Sequence, residues 1–387
     1  MKIALTHPFC WPYVRRGAER FLAELATYLT AQGHEVWTLA SKPGASLTQR
    51  DETGTRILKR QICPRALQRV RLHPAHAFAA NAYWELRKLR VDLVQSLHFM
   101  DALGSELARK AARHKSIYYI TGPPIPNYQP RLPPDRWFLK QAILRADAVA
   151  VPSEYVASIV SRYYGVESTV LPVPVDSAHF SPDPAKRSER PLILWIGSVD
   201  VARKGVSELI RAFVKVKRER PDAMLRICAQ IDSESRRKLL ALAPADVASE
   251  IEFPGLGTLE ELPDHYRAAW VTVQPAKWES YSLVLLESWA CGTPVVAVRH
   301  GALPELVTAP GLGALFDPGG SEDQVGIENL NGLAMAVTNA LSAPVPAEQA
   351  QICRRKAEGY SWEALGPSFL AFYAQVLLKT PGGFRAK

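Results

Sequence analysis

Two glutamates in the second half of the chain, Glu279 and Glu287, lie eight positions apart with an almost unbroken apolar run between them. A strand that ends near Pro275 and a helix that begins near Ser282 would place Glu279 in the connecting loop and Glu287 about one and a half turns into the helix. Carboxylates at these two positions can each accept hydrogen bonds from the hydroxyl groups of a bound ligand. The alternative is that both are exposed glutamates on either side of a core helix.

A second candidate site lies in the segment ILWIGSVDVARKGVSELIRAF, residues 193–213. Its apolar strand ends at Gly197, and Arg203 and Lys204 stand where the next helix opens. Two cations beside free backbone N–H groups at a helix start are suited to hold a diphosphate. A surface-exposed basic pair is the alternative interpretation when this loop is taken alone.

Short apolar strands alternate with amphipathic helices along the chain, which predicts an α/β fold with doubly wound parallel sheets. The first series of strands is expected at residues 3–5, 36–40, 93–97, 117–120, 148–151 and 170–173. The second series is expected at residues 192–196, 225–229, 251–253, 271–274 and 295–298. The polar, proline-punctuated segment 181–191 between them is typical of an interdomain linker.

A chain of 387 residues is too long for one ordinary core, so we expect two domains, residues 1–180 and residues 192–366. Two doubly wound domains that face each other would surround one cleft with the C-terminal ends of their strands and the N-termini of their helices. Anionic ligands usually bind such sheets at these positions, so the sequence predicts that the functional site lies in the cleft.

Two common nucleotide-binding motifs are absent from the sequence. The first strand is followed by Thr-His-Pro-Phe-Cys, residues 6–10, and a later candidate that begins at Gly255 has Glu260 where the third glycine of G-x-G-x-x-G belongs. The stretch from Gly197 to Lys204 has the wrong spacing for a Walker A loop, and its lysine is followed by glycine. A dehydrogenase is therefore disfavoured, and phosphate binding must depend on other residues.

Positive charge is concentrated in the first half of the chain. Residues 1–180 carry 24 Lys and Arg against 14 Asp and Glu. The whole chain has 47 Lys and Arg and 38 Asp and Glu, so the remaining residues carry 23 against 24. Many of these cations are interleaved with Trp84, Trp137 and Phe138. They are Arg56, Lys59, Arg60, Arg65, Arg69, Arg71, Arg87, Lys88, Arg90, Arg109, Lys110, Arg113, Lys115, Arg131, Arg136, Lys140 and Arg145. The excess indicates either a solvated basic surface or a surface for anionic lipids or an acidic acceptor. Nucleic acid is disfavoured as a partner because no recognition helix or RNA-binding motif accompanies the charge.

Composition limits the remaining possibilities. The five cysteines show no C-x-x-C pairing, so we expect reduced, mostly buried thiols and no structural metal. The sequence has no long apolar run and no visible signal peptide. We therefore expect a cytoplasmic protein, which the basic first half would allow to lie peripherally on the inner face of the membrane.

Residues 270–307, WVTVQPAKWESYSLVLLESWACGTPVVAVRHGALPELV, resemble the donor-site signature of the retaining glycosyltransferases of family 4. The resemblance rests on Glu-Ser-Tyr-Ser-Leu at residues 279–283, a second glutamate at position 287 and Cys-Gly-Thr-Pro-Val-Val-Ala at residues 291–297. It extends over most of the chain. The motif Gly-Ala-Glu-Arg at residues 17–20 is similar to the family's first glycine-bearing loop, and Val-Pro-Ser-Glu at residues 151–154 is similar to a landmark near the domain junction.

The resemblance implies the GT-B fold, in which two Rossmann-like domains face a central cleft and a final helix, here within residues 367–387, packs back on the first domain. It also implies that a sugar passes from a UDP- or GDP-linked donor to a hydroxyl acceptor with retention of the anomeric configuration. The acceptor is expected to be a lipid-linked, polysaccharide or other glycan precursor. The nucleotide sugar would be a substrate, and no cofactor or metal would be required.

The family's site residues carry over by position, with the first glutamate of the signature at the donor sugar and the second at the ribose. The expected catalytic residues are Glu279, Lys204, Arg203 and His98. The expected donor and nucleotide contacts are Gly17, Gly197, Ser198, Arg203, Lys204, Gly255, Glu279, Ser280, Tyr281, Ser282, Leu283 and Glu287.

The sequence departs from the family pattern at several of these positions. Ser280 and Ser282 stand where the family has glycines, and Ser198 stands where it often has an arginine, so Arg203 and Lys204 would carry more of the phosphate charge. His98 lies one place after the family's histidine position. A sugar-nucleotide epimerase or a glycan phosphorylase of the same architecture remains an alternative. A non-catalytic nucleotide-sugar binding subunit is a further alternative, suggested only by the three serines.

Overall fold

The computed structural model describes residues 1–61, 74–125, 133–199, 202–320 and 326–378, and it divides into two compact units. Unit 1 comprises Met1–Val173 and Leu365–Lys387, and unit 2 comprises Pro174–Ala364. Some residues named in the predictions above lie outside the described ranges. They are Arg65, Arg69, Arg71, Arg131 and the end of the expected final helix, residues 379–387, and one of the five cysteines, Cys63, lies outside them as well.

Unit 1 is built on an eight-stranded sheet with the order β3-β4-β2-β1-β5-β6-β7-β8. Neighbouring strands are parallel except β3 and β4, which are antiparallel. The strands are β1 (Lys2–Thr6), β2 (Glu35–Lys42), β3 (Leu47–Asp51), β4 (Gly54–Arg60), β5 (Leu93–Ser96), β6 (Lys115–Tyr119), β7 (Ala148–Val151) and β8 (Thr169–Val170). The helices are α1 (Gly17–Ala31), α2 (Pro74–Leu86), α3 (Phe99–Ala112), α4 (Pro133–Arg145) and α5 (Glu154–Tyr164).

The central strands of this sheet are covered by helices on both faces. Strands β5 and β7 are buried along their whole length. The apolar sequence of β7 matches this burial, whereas β5 also buries the polar residues Gln95 and Ser96. Right-handed crossovers place α1 on one face of the sheet and α2 to α5 on the other. On the second face, Phe99, Leu139 and Val156 from successive helices belong to one apolar core.

Unit 2 is built on a six-stranded parallel sheet with the order β11-β10-β9-β12-β13-β14. The strands are β9 (Leu192–Ile196), β10 (Met224–Cys228), β11 (Ile251–Glu252), β12 (Val271–Gln274), β13 (Val295–Val298) and β14 (Gly313–Phe316). The helices are α6 (Val206–Glu219), α7 (Ser233–Leu240), α8 (Ala245–Ala248), α9 (Leu262–Ala268), α10 (Leu283–Ala290), α11 (Leu303–Leu306), α12 (Leu330–Ala340) and α13 (Ala347–Glu358).

A last helix, α14 (Trp362–Leu378), belongs to unit 1 from Leu365 onward. The ring of Phe369 lies 5.9 Å from the ring of Phe21 on α1, centroid to centroid. The Tyr373 hydroxyl donates a 2.9 Å hydrogen bond to Oε1 of Gln95 on β5. The C-terminal part of the chain therefore helps to build the core of the first unit.

The predicted doubly wound α/β fold is confirmed, and each expected strand has a counterpart in one of the two sheets. The hairpin β3–β4 and the edge strand β14 were not expected. Strand β3 reads Leu-Thr-Gln-Arg-Asp, which lacks apolar alternation because an edge strand needs little burial. The strand expected at residues 170–173 is reduced to Thr169–Val170.

The segment 181–191, expected to be the linker, lies inside unit 2, and the boundary falls between Val173 and Pro174. Within this segment the Arg187 guanidinium donates a 2.8 Å hydrogen bond to Oγ1 of Thr293. The Ser188 carbonyl accepts a 2.7 Å hydrogen bond from the Trp270 indole. The polar groups of this segment therefore form contacts within unit 2. Composition alone does not distinguish such a segment from a solvated linker.

Candidate functional site

The candidate site of unit 2 is assembled at one edge of its sheet. Strands β9 and β12 are parallel neighbours, so the loops that follow them start at the same edge. The loop after β9 leads through a 3₁₀ turn, Ala202–Lys204, into α6, and the loop after β12 leads into α10. Strand β12 ends at Gln274 and α10 begins at Leu283, which confirms the predicted loop position of Glu279 and helical position of Glu287.

Glu279 binds both predicted cations. Its carboxylate is buried and accepts a hydrogen bond from the Lys204 ammonium, and its Oε2 lies 3.3 Å from Nη1 of Arg203. The side-chain amide of Gln274, the last residue of β12, lies 3.5 Å from Glu279 Oε1. The structure thus brings together one buried carboxylate and two cations that are 75 and 76 positions away in sequence.

The electrostatics of this cluster favour the ionised carboxylate. Burial alone acts to raise the pKa of Glu279, but the Lys204 ammonium and the Arg203 guanidinium outweigh it and hold the pKa below its ordinary value. Glu279 therefore carries a negative charge at neutral pH and keeps the two cations at the sheet edge.

Glycines allow the backbone segments around Glu279 to approach closely. Gly205, at the start of α6, has φ of 68°, and a Cβ there would lie 2.5 Å from the carbonyl oxygen of Pro275. Gly301 has φ of 65°, and a Cβ there would lie 2.7 Å from the Glu279 carbonyl oxygen. The next residue, Ala302, donates a 3.0 Å backbone hydrogen bond to that carbonyl. The position of the Glu279 loop thus depends on glycine conformations on both sides.

Glu287 is buried on α10 and has a different partner. The Tyr266 hydroxyl of α9 donates a 2.5 Å hydrogen bond to its Oε2. Tyr266 is fully buried, so this bond holds the carboxylate in one orientation. Both predicted glutamates therefore have low exposure, and the interpretation of two exposed surface carboxylates is wrong.

The other expected donor contacts of unit 2 lie in loops at the same sheet edge or at the start of the helix that follows. Gly197 and Ser198 follow β9, and a Cβ on Gly197 would lie 2.9 Å from the ring of Trp195. Gly255 follows β11 with φ of 88°. Ser280, Tyr281 and Ser282 are buried in the loop before α10, and Leu283 is the first residue of that helix. Ser282 accepts a 3.4 Å hydrogen bond from the Gln274 amide.

Two expected site residues, Gly17 and His98, belong to unit 1, where Gly17 is the first residue of α1. His98 is the N-cap of α3, and its Nδ1 accepts a 3.2 Å hydrogen bond from the Met100 amide. Its ring stacks on Phe99, with the centroids 4.3 Å apart, and lines a cavity of about 110 Å³. These contacts explain the position of His98, and its catalytic role stays a prediction.

Asp101, in the first turn of α3, was not identified from the sequence. It is fully buried, and its Oδ2 accepts a 2.6 Å hydrogen bond from the Thr6 hydroxyl at the end of β1. Burial raises the pKa of Asp101 to about 8, although the hydrogen bond from Thr6 acts in the opposite direction. An acidic residue in a first helical turn is common, so its sequence position did not indicate burial.

Two partners of the unit 2 glutamates were also missed. Gln274 had a detectable signal, because it is a polar residue at the C-terminal end of an apolar strand, where ligands bind such sheets. Tyr266 had none, since an aromatic residue in a short amphipathic helix is more often part of a core.

Within the ranges that the structure describes, His, Cys, Asp and Glu side chains form no group of three placed to hold a metal ion. None of the helices in those ranges combines the length and apolar character needed to cross a bilayer.

Two protein-family models match the chain in succession. The model described as Glycosyltransferase Family 4 matches residues 15–179, and the model described as Glycosyl transferases group 1 matches residues 176–327. The first model lies almost entirely in unit 1, and the second lies in unit 2 and includes Arg203, Lys204, Glu279 and Glu287.

Curated relatives are about 30% identical to the chain over the parts that align. A GDP-mannose-dependent alpha-(1-6)-phosphatidylinositol monomannoside mannosyltransferase from Mycolicibacterium smegmatis is 31% identical over 56% of this chain and 60% of its own length. A D-inositol 3-phosphate glycosyltransferase from Thermobifida fusca is 28% identical over 79% of this chain and 69% of its own length. The match with the first of these therefore spans less than two thirds of that relative.

A solved structure resembles the chain over nearly its full length. The structure of Anabaena HepE in complex with UDP and glucose has a TM-score of 0.78 and 15% identity, and the match covers 97% of this chain and 100% of that one. A likeness at this identity concerns the fold, and it confirms the predicted GT-B class.

Proposed function

The chain belongs to glycosyltransferase family 4, and from that membership we propose that it transfers a sugar from a nucleoside-diphosphate sugar to a hydroxyl acceptor. The names of both curated relatives support a glycosyl transfer reaction. One relative depends on GDP-mannose, and the Anabaena structure holds UDP, which supports a GDP- or UDP-linked donor. Their named acceptors support a phosphorylated or lipid-linked hydroxyl compound as the acceptor class.

The observation that carries the proposal is the contact of Glu279 with Arg203 and Lys204 at the C-terminal edge of the sheet. This edge is where sheets of this type bind anionic ligands. A diphosphate gains negative charge as the sugar departs, and two cations fixed beforehand stabilise that charge without reorganising. The carboxylate of Glu279 holds the cations in place and offers an acceptor to hydroxyls of the donor sugar.

Glu287 is proposed to hold the ribose of the nucleotide. Its carboxylate lies on the helix that follows the Glu279 loop, and Tyr266 fixes its orientation. A carboxylate can accept hydrogen bonds from both hydroxyls of a diol. In this scheme Glu279 contributes mainly to the reaction rate, and Glu287 contributes mainly to nucleotide affinity.

The transfer is proposed to retain the anomeric configuration, as the family resemblance implies. The bond between the anomeric carbon and the diphosphate oxygen breaks, and the acceptor oxygen bonds to the anomeric carbon on the same face. The departing phosphate takes the acceptor proton. Arg203 and Lys204 supply the positive charge for the leaving group, so we expect the reaction to proceed without an added metal.

The proposed reaction is tested with the purified chain and a panel of UDP, GDP and ADP with their sugars. We expect one nucleoside diphosphate to raise the Tm, because a ligand that binds only the folded state stabilises it. The matching nucleotide sugar should then release its nucleoside diphosphate in the presence of a hydroxyl acceptor. Stabilisation without net sugar transfer across a broad acceptor panel would overturn the proposal in favour of a binding subunit.

The basic first half of the chain supports a peripheral location at an anionic membrane. Unit 1 contains most of the residues 1–180, where cations exceed carboxylates by 24 to 14. A membrane surface rich in anionic lipid attracts such a unit and would present a lipid-linked acceptor to it.

A further inference from the structure

Helices α2, α3 and α4 form one continuous layer on a face of the unit 1 sheet. They follow β4, β5 and β6, and right-handed crossovers place all three on the same side. Their inward residues share one core, to which Ala75, Met100 and Leu139 contribute one residue from each helix. The outward surfaces of the three helices therefore form a single face of unit 1, which we call the α2–α4 face.

Large apolar side chains project from this face into solvent. Trp84 of α2 and Trp137 of α4 are each 56% exposed, and Leu107 of α3 is 63% exposed. Leu144 of α4 is 38% exposed. Trp137 and Leu144 are seven positions apart, so they lie on one stripe of their helix. Two exposed tryptophans on one helical face are unusual on a surface that contacts only water.

Exposed cations accompany these apolar side chains on the three helices and in the short segments that follow α2 and α3. They are Arg87, Lys88, Arg90, Lys110, Arg113, Arg136, Lys140 and Arg145. Arg87 is additionally held against the aromatic residues, because its guanidinium lies 5.4 Å from the centre of the Trp84 ring. Lys140 follows Trp137 by three positions, and Lys110 follows Leu107 by three, so cation and apolar group share an outward stripe.

Carboxylates of the same helices do not compete with these cations. Among the described residues of α2, α3 and α4, none of the Asp and Glu side chains is classed as exposed. Glu85 contacts Lys59 and Lys88, at 2.6 Å and 3.1 Å. Glu106 lies 3.3 Å from Arg109. In α4, Asp135 pairs with a histidine of α2 at 2.7 Å. The exposed charge of the face is therefore positive.

We propose that the α2–α4 face docks on an anionic lipid bilayer, with Trp84 and Trp137 in the headgroup region and the accompanying cations on lipid phosphates. Tryptophan combines an apolar ring with one N–H donor, which suits it to the boundary between headgroups and acyl chains. The uniformly positive exposed charge complements an anionic surface. This inference rests on the proposed function, because it places unit 1 where a lipid-linked acceptor would be found.

The test measures co-sedimentation of the full chain with vesicles of phosphatidylcholine, alone or mixed with phosphatidylglycerol. We expect binding to the mixed vesicles and an apparent affinity that falls as the salt concentration rises. The double variant Trp84→Ala/Trp137→Ala should lose about tenfold or more of this affinity, as should Lys110→Gln/Lys140→Gln.

Matched controls come from exposed residues of unit 2. Met335→Ala removes an apolar side chain that is 65% exposed, and Arg211→Gln/Arg218→Gln removes two exposed cations of α6. Both controls should bind mixed vesicles within about twofold of the unmodified protein. The proposal is overturned if the controls lose as much affinity as the face variants, or if binding to neutral and mixed vesicles is equal.

Two further measurements separate this inference from the proposed function. Nucleoside-diphosphate stabilisation is measured on every variant, and the face variants should retain it because their substitutions lie in unit 1 helices. If the unmodified protein binds the nucleoside diphosphate but not the vesicles, the docking face is overturned and the proposed donor site stands. If it binds the vesicles but no nucleoside diphosphate, the proposed donor site is overturned and the docking face stands. Tighter binding to a short duplex DNA than to mixed vesicles would show that the face serves nucleic acid, and the lipid proposal would fail.

Discussion

The Lys204 ammonium donates a hydrogen bond to the buried carboxylate of Glu279, so residues 75 positions apart form one charged unit at the edge of the second sheet. Arg203 adds a second cation at 3.3 Å. Because the carboxylate offsets part of their positive charge, the two cations can stay close together at the sheet edge before any ligand is bound. A diphosphate that enters would meet cations already held in place.

Replacing Glu279 by Gln should lower turnover by about 10²-fold or more while the protein remains folded, because a charged hydrogen-bond acceptor becomes an amide at the reacting sugar. Steady-state turnover with the matching nucleotide sugar measures the effect. Glu234→Gln, an exposed carboxylate on α7, serves as the control and should leave turnover unchanged. Near-normal turnover of the folded Glu279 variant would remove this residue from the site.

Replacing Glu287 by Ala should weaken the binding of the nucleoside diphosphate more than it lowers the turnover of bound donor, since the proposed partner of Glu287 is the ribose. Tyr266→Phe removes the hydroxyl that orients the carboxylate and should weaken binding in the same direction by a smaller factor. Titration calorimetry with the nucleoside diphosphate measures both. Unchanged affinity in the folded Glu287→Ala variant would contradict the ribose assignment.

The buried carboxyl of Asp101 should make the stability of the protein depend on pH. Its pKa is raised from 3.8 to about 8, so between these values the folded state keeps a proton that the unfolded state has lost. The free energy of unfolding should therefore fall as pH rises from about 4 to 8, by at most about 1.4 kcal/mol per pH unit from this group.

Asp101→Asn tests this dependence, because an amide replaces the protonated carboxyl without titrating. Urea unfolding at several pH values should show a flatter profile for the variant than for the unmodified protein between pH 4 and 8. Parallel profiles would show that Asp101 is ionised in the folded state.

The features predicted from sequence are those that depend on local pattern. Apolar runs located the central strands, and the strand-to-helix interval placed Glu279 in a loop and Glu287 in a helix. Contacts between segments that are distant in sequence were harder to predict. The bond from Tyr266 to Glu287 and the burial of Asp101 beside Thr6 depend on how helices pack, which the local sequence does not encode.

The edge elements were missed for a related reason. Strand β3 has a polar sequence because only one side of it is paired, so no apolar alternation marked it. Segment 181–191 was predicted to be a linker because it is polar and contains several prolines. Its polar groups contact partners such as Thr293, more than 100 positions away, and the local sequence does not reveal such contacts.

The most direct test of the account is Lys204→Ala, because the proposed reaction depends on cations that stabilise the departing diphosphate. Turnover and the affinities for nucleoside and nucleoside diphosphate are measured on the folded variant, with the exposed Lys238→Ala as control. We predict that transfer slows by roughly 2 to 4 kcal/mol, or about 30- to 1000-fold, while binding of the free nucleoside changes much less. If turnover and both affinities stay within about threefold of the unmodified protein, the diphosphate is not bound at residues 197–205 and the account is contradicted.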